Sequence, residues 1–516
     1  MTMNGAESLV RSLLAAGVDL CFTNPGTSEM HFVAALDHVP GMRSVLALHE
    51  NVATGAADGY YRMTGTPACT LLHLGPGLAN GLSNLHNAKK AGSGIVNIVG
   101  EHAASHVALD APLYSDIEGI AQPMSAWVHT SRSARDVGMD AARAVQAALS
   151  PPGQIATLVL PSDTAWNTGG EVARPLAPVP PRMVDAARIE TAAALLDGPD
   201  SLLLLGGAAL DADNLGIAGQ IAAHTGCHLL SEWSNARLER GAGRVKVNRV
   251  PYPIDAALEV LAPYSRIVML GARDPIGFFA YPGKPARLTR DDAELFTLAD
   301  SAHDLGQALS AMRNATGAQH ATPANVADGP LPAQPTGPLG PDTFAAMLAR
   351  AIPENAIVVD ESITTGRAFF PTTANAAPHS WLNNLGGSIG YSMPAAIGAA
   401  IACPERKVMA LTGDGSAMYA PQALWTMARE NLDICVVVWA NRSYRILRGE
   451  LIGVGVQNPG PRAIDMLSLD RPAIDFAAMA RSMGVEAEMV TETEDFAAAL
   501  ARGLASSGPY LVEAVF

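Results

Sequence analysis

Two apolar runs, Val408 to Thr412 and Ile434 to Trp439, flank a helical pattern, and each runs straight into a polar turn. Apolar runs of this length without alternation belong to strands covered on both faces, and two such strands joined by one crossover helix pair in parallel and end on the same sheet edge. The turns are Gly413-Asp414-Gly415-Ser416 and Ala440-Asn441-Arg442-Ser443-Tyr444, so Asp414 and Asn441, 27 residues apart, are expected at one site. A carboxylate oxygen, an amide oxygen and a nearby backbone carbonyl form a hard, oxygen-only donor set. That set suits magnesium, which keeps few protein ligands and fills its octahedron with diphosphate oxygens and water.

The same alternation of apolar runs and helical patterns covers most of the chain and predicts an α/β protein of three doubly wound parallel-sheet domains. Residues 1–165 carry runs at Leu20-Cys21-Phe22, Ser44 to Leu48, Cys69 to Leu72, Ile95 to Val99 and Ile155 to Leu160. Residues 166–186, rich in proline and glycine, read as a linker. A central block, 187–312, has runs at Leu202 to Leu205, His228 to Leu230 and Ile267 to Leu270; a second linker spans 315–341; and the third block, 342–516, holds Ile357 to Val359, the two runs named first, and Tyr510 to Val515.

Charge narrows the function classes. Over 516 residues, 34 Lys and Arg face 49 Asp and Glu, a net charge of −15. An acidic, weakly aromatic chain without basic clusters is a poor partner for nucleic acid or an anionic membrane surface. An anionic ligand must then be held by helix N-termini, glycine loops and a metal ion. The five cysteines are widely separated, which excludes a disulfide framework or zinc cluster. No apolar stretch is long enough to span a bilayer, and the chain opens into helical periodicity at Ala6 to Val10, so a cytoplasmic enzyme is expected.

Five further turns carry chemistry. His49-Glu50 follows Val45 to Leu48 and precedes a run of small residues, where a carboxyl group is poorly solvated. Asn24-Pro25-Gly26-Thr27-Ser28-Glu29 is a strand-to-helix turn with an N-capping hydroxyl. His73 ends the run Cys69 to Leu72 and enters Gly75-Pro76-Gly77-Leu78-Ala79-Asn80-Gly81, where glycines permit close approach of a ligand and a histidine titrates near neutrality. Gly386-Gly387-Ser388-Ile389-Gly390-Tyr391 places one aliphatic side chain between glycines, and Glu361-Ser362-Ile363-Thr364-Thr365 follows the run at 357.

Gly-Asp-Gly followed by an asparagine at this spacing resembles the thiamine diphosphate binding motif. The order of segments over the whole chain resembles the acetolactate synthase, pyruvate oxidase and benzoylformate decarboxylase family. That resemblance implies a pyrimidine-binding N-terminal domain, a central domain and a diphosphate-binding C-terminal domain. It assigns the metal to Asp414, Asn441 and the Ser443 carbonyl, with Gly413, Gly415, Ser416 and Tyr444 around the diphosphate and Thr364 as a hydroxyl donor to it. Ile389, preceded by Gly387 and Ser388, is implied to press beneath the cofactor and hold its reacting groups together. Glu50 is implied to hydrogen-bond the pyrimidine ring and so to activate C2, His73 to transfer protons, and Thr27, His73 and Leu447 to meet the substrate.

The sequence also departs from the family pattern. Ala440 replaces the first of two asparagines, Thr27 stands where benzoylformate decarboxylases carry a serine, and Phe278-Phe279-Ala280-Tyr281 offers no second catalytic histidine. The central domain resembles one that binds flavin in some relatives, but only Gly271-Ala272-Arg273-Asp274-Pro275 hints at it, so FAD is not favoured. The expected activity is decarboxylation of a 2-oxo acid with carboligation, as in acetolactate synthase. The alternatives are simple decarboxylation as in benzoylformate decarboxylase, a flavin-dependent oxidase, and a non-catalytic cofactor-binding homologue. The resemblance further implies that Glu50 from one subunit and Asp414 from its partner share a cofactor, in a homodimer as the minimal active unit or in a homotetramer.

Overall fold

The apolar runs become strands of three parallel-dominated α/β sheets in the computed structural model, which describes residues 3–516. The first sheet holds β1 (Leu20–Asn24), β2 (Arg43–Leu46), β3 (Ala68–Leu72), β4 (Ile95–Glu101), β5 (Trp127–Thr130) and β6 (Ile155–Pro161), all parallel, in the order β2-β1-β3-β4-β6-β5. β3, β4 and β6 are buried along their whole length, as strands covered on both faces must be. The chain steps from β1 to β2 on one side and returns to β3 on the other, which opens a crevice between the carboxyl ends of β1 and β3.

The central sheet consists of β7 (Ser201–Leu205), β8 (His228–Ser231), β10 (Asn248–Arg249), β11 (Arg266–Leu270) and β12 (Glu294–Ala299), ordered β10-β8-β7-β11-β12. β9 (Leu238–Arg240), although central in sequence, leaves this sheet and pairs antiparallel with β14 (His379–Asn383) at the edge of the third. The buried Arg240 guanidinium fixes that pairing, since it lies 3.8 Å from the Phe370 ring centroid and donates to Thr373 Oγ1 at 2.9 Å. The rest of the third sheet is β13 (Ile357–Glu361), β15 (Val408–Gly413), β16 (Ile434–Ala440), β17 (Glu486–Val490) and β18 (Tyr510–Val515), in the order β17-β18-β16-β15-β13-β14-β9. Here the order reverses between β13 and β15, so a second crevice opens above Glu361 and Gly413.

The first and third sheets share one hydrophobic core. Its seam is formed by helix α1 (Glu50–Thr64) and helix α3 (Ser392–Ala402), both rich in alanine and glycine; helix α2 (Leu74–Ala91) packs beside α1. His49 caps α1 by accepting the Asn51 N–H on Nδ1 at 3.1 Å, and Gly65 ends it in the left-handed region at φ 70°. The two seam helices approach so closely that a Cβ on Gly398 would overlap the Ala56 carbonyl oxygen and lie 2.5 Å from the Tyr60 nitrogen. Gly398→Ala is therefore expected to cost about 1–3 kcal/mol as overpacking, measured as a lowered denaturant midpoint; a variant as stable as the parent would show that the seam is not rigid. No helix among the described residues is long and apolar enough to cross a membrane.

Candidate active site

The first crevice gathers Thr27, Glu29, Glu50 and His73. Glu50 is the first residue of α1, buried, and its Oε2 accepts a hydrogen bond from Asn80 Nδ2 at 3.0 Å. His73 lies just before α2, with Nδ1 2.8 Å from Glu29 Oε2. Glu29 Oε2 also accepts the Gly26 N–H at 2.7 Å, while its Oε1 is buried without a hydrogen-bond partner. Burial pushes the Glu29 carboxyl above the usual carboxylate range, opposed by the Gly26 N–H and by His73. The pair orients the imidazole and leaves Nε2 without a hydrogen bond among the described residues. Thr27 is exposed and opens the short helical turn that carries Glu29.

Glu29 and Asn80 are functional candidates that sequence reasoning passed over. Both stand inside segments singled out for other residues, and their partners lie 44 and 30 positions away. Only an acid on the turn after β1, facing a histidine on the turn after β3, signals the first of these pairs. Leu74, immediately after His73, has φ 52°, a conformation costly for a side chain of its kind and concentrated at functional turns.

The second crevice brings the turns after β15 and β16 together. Asp414 Oδ2 accepts the Arg442 N–H at 2.5 Å and Oδ1 accepts the Gly415 N–H at 2.8 Å, while Asn441 Oδ1 accepts the Ser443 N–H at 3.0 Å. Asp414 is buried with no cationic side chain paired to it among the described residues, and burial pushes its carboxyl up to about 6. A buried carboxylate with backbone donors as its only partners, next to an amide oxygen, fits a divalent cation in its donor chemistry. The Tyr444 ring lies over Gly415, where a Cβ would come within 2.5 Å of Cε1, so glycine is required there. Ser416 is buried in the same turn, and Gly413 closes β15 opposite Trp439. Arg442 and Ile363, on the turns after β16 and β13, have φ 53° and 48°.

A cavity of about 820 Å3 opens beside these turns, lined by Thr364, Asn441, Ser443, Tyr252, Phe278 and Glu450. One wall is helix α4 (Arg445–Gly453), which buries none of its residues; its Leu447, 44% exposed, is not among the residues that line the cavity. Glu450 ties α4 to the central segment by accepting from the hydroxyls of Tyr281 and Tyr252.

The segment Gly386–Tyr391 bridges the two crevices. His86 Nε2 lies 3.1 Å from the Gly386 carbonyl, Asn87 exchanges two hydrogen bonds with the Ser388 backbone, and Asn84 Nδ2 donates to the Gly390 carbonyl, all three from α2. Gly387 has φ 75°, and Ile389 is partly exposed. Among the described residues no hydrogen bond or ion pair joins Glu50 or His73 to Asp414, Asn441 or Ser443. In the central sheet the equivalent crevice is filled by its own backbone, because the Gly206 N–H donates to Leu270 O and the Gly206 and Gly271 turns abut.

Comparison with known proteins agrees with this geometry. Residues 3–124 match the family described as thiamine pyrophosphate enzyme, N-terminal TPP binding domain, and residues 366–514 match thiamine pyrophosphate enzyme, C-terminal TPP binding domain. The chain is 46% identical over 517 residues to a protein of Mycobacterium tuberculosis named "Putative acetolactate synthase large subunit IlvX", covering 99% of each. It is 30% identical to the benzoylformate decarboxylase of Pseudomonas aeruginosa, covering 96% of each. The solved structure of a thiamine diphosphate-dependent 4-hydroxybenzoylformate decarboxylase from Rhodococcus jostii superposes with a TM-score of 0.85 at 24% identity, over 99% of this chain and 98% of that one, which establishes a shared fold.

Proposed function

The chain belongs to the thiamine pyrophosphate enzyme family that includes acetolactate synthases and benzoylformate decarboxylases, and from that premise we propose that it decarboxylates a 2-oxo acid with thiamine diphosphate and Mg2+. The observation that carries this reading is the junction of the Asp414 and Asn441 turns around an unpaired buried carboxylate. Asp414, Asn441 and the Ser443 carbonyl hold the ion; Gly413, Gly415, Ser416, Tyr444 and Thr364 surround the diphosphate. Gly387 and Ser388 shape the backbone leading into Ile389, which would support the bound cofactor. Bound thiamine diphosphate supplies an electron sink for the loss of carbon dioxide from a 2-oxo acid. Glu50 holds a proton at the pyrimidine nitrogen. Thr27 donates its hydroxyl to the substrate carboxylate, and Leu447, exposed on α4 beside the cavity, contacts the substrate at its mouth.

Two chains complete one site. Glu50 and His73 of one copy face Asp414 and Asn441 of a second, a reading supported by their standing at separate crevices with no direct bond between them among the described residues. A homodimer is the smallest active assembly, and a homotetramer doubles it.

The fate of the product depends on His73. Its Nδ1 is held by Glu29 and its Nε2 has no hydrogen-bond partner among the described residues, an arrangement suited to returning a proton and releasing an aldehyde. Likeness to an acetolactate synthase large subunit instead favours carboligation to a second 2-oxo acid. Incubating the protein, Mg2+ and thiamine diphosphate with pyruvate and with benzoylformate separates the two readings: an aldehyde marks proton return, acetolactate marks carboligation, and consumption of neither acid refutes decarboxylation of these substrates. If proton return holds, His73→Ala lowers kcat for aldehyde release by about 10²–10⁴-fold with cofactor affinity unchanged.

A further inference from the structure

We propose that Glu361, at the carboxyl end of β13, is a positioning residue that fixes the backbone of Gly386–Ser392 and thereby sets where Ile389 meets the cofactor. This rests on the cofactor reading above but concerns a residue to which that reading gives no role. Glu361 Oε2 accepts three successive backbone N–H groups, from Gly390 at 3.2 Å, Tyr391 at 3.0 Å and Ser392 at 3.2 Å. Its Oε1 accepts Asn384 Nδ2 at 3.1 Å, and the Asn384 amide in turn accepts the Gly387 N–H at 2.9 Å and donates to the Ser388 carbonyl at 2.6 Å. One carboxyl group and one amide therefore hold both ends of the segment, and Ile389 is the residue between the two anchored ends.

Glu361 also serves the helix that follows the segment. Helix α3 starts without a side-chain cap of its own, because its N-cap residue is Tyr391, so a remote carboxylate replaces the usual local serine or aspartate. Glu361 is 4% exposed and has no ion-pair partner among the described residues, which makes the charge costly to bury. The desolvation raises its carboxyl to about 7 against the pull of the four N–H donors. The segment it holds is tightly confined: Gly387 and Gly390 have φ 75° and 90°, with Phe278 Cζ 2.8 Å from where a Cβ on Gly387 would stand and Tyr419 Cβ 2.5 Å from one on Gly390. A bond network aimed only at this segment, built at the cost of a buried charge, fits a demand for placement of the side chain it carries.

Glu361→Gln tests this. The amide keeps the shape but turns one acceptor into a donor, so either the three backbone N–H groups or Asn384 Nδ2 faces an NH2 and loses its partner. In the cofactor-free protein, amide hydrogen exchange of the peptide spanning 386–392 is expected to accelerate at least about tenfold while other peptides keep their rates. With Mg2+ and thiamine diphosphate added, exchange of the cofactor C2 hydrogen is expected to slow by about 10²-fold, the effect of a small misplacement of reacting groups. Unchanged exchange of the peptide, or unchanged C2 exchange, would overturn the proposal. If Glu361→Gln does not fold, Asn384→Ala severs the same network from its more exposed end and is held to the same two outcomes. Failure of the parent protein to bind thiamine diphosphate would instead refute the cofactor reading, while the peptide measurement still reports on the anchor.

Discussion

Replacing Glu50 by glutamine is expected to slow exchange of the C2 hydrogen of bound thiamine diphosphate by about 10²–10⁴-fold while cofactor affinity changes little. The substitution is nearly isosteric. A glutamine oxygen at the start of α1 still accepts the Asn80 Nδ2 hydrogen bond, now 3.0 Å long, and the helix cap is supplied by His49. The carboxyl group's capacity to hold and release a proton at the pyrimidine is what disappears. Nuclear magnetic resonance of the exchange reaction reads this directly, and a rate equal to that of the parent protein would remove Glu50 from the activation step.

The second large effect is at Asp414. Asp414→Asn preserves an acceptor for the Gly415 or Arg442 N–H but removes the only negative charge in the donor set. Loss of second-sphere partners alone weakens metal sites by about 10–100-fold, so loss of a ligating carboxylate is expected to exceed that and to abolish magnesium-dependent retention of the cofactor. Titration of Mg2+ into protein and thiamine diphosphate checks this. Because the parent buries an unpaired carboxylate, the cofactor-free variant is expected to be at least as stable to heat as the parent. A variant that binds Mg2+ as tightly as the parent would show that Asp414 is not a ligand.

Legibility in the sequence followed the range of the interactions. The inner strands were readable because they are buried on both faces and appear as unbroken apolar runs. β14 was not, since His379-Ser380-Trp381-Leu382-Asn383 buries its polar residues through partners elsewhere: His379 Nδ1 lies near the Ala377 carbonyl and Ser380 Oγ accepts from Arg406. The edge strands β5 and β17 are only partly buried and carry a weaker pattern. No local signal shows that Leu238–Arg240 joins the third sheet, because that choice is made by a cation over the Phe370 ring.

The sites divide in the same way. Asp414 and Asn441 stand at the ends of neighbouring strands, and Asp414 accepts the N–H of Arg442, the residue after Asn441, so strand register alone predicts their meeting. Glu361 is not legible in the sequence, since its partners are three backbone N–H groups 29 to 31 residues away, which leave no trace in side-chain identity, and the Asn384 amide 23 residues away. Glu29 and His73 belong to different turns that the topology alone brings together.

Isothermal titration of thiamine diphosphate into the purified protein with excess Mg2+ tests the assignment most directly. Saturable, stoichiometric uptake that disappears on chelation and in Asp414→Asn is the expected result. Absence of uptake by the parent protein, or uptake indifferent to both chelation and the loss of the Asp414 charge, would contradict it.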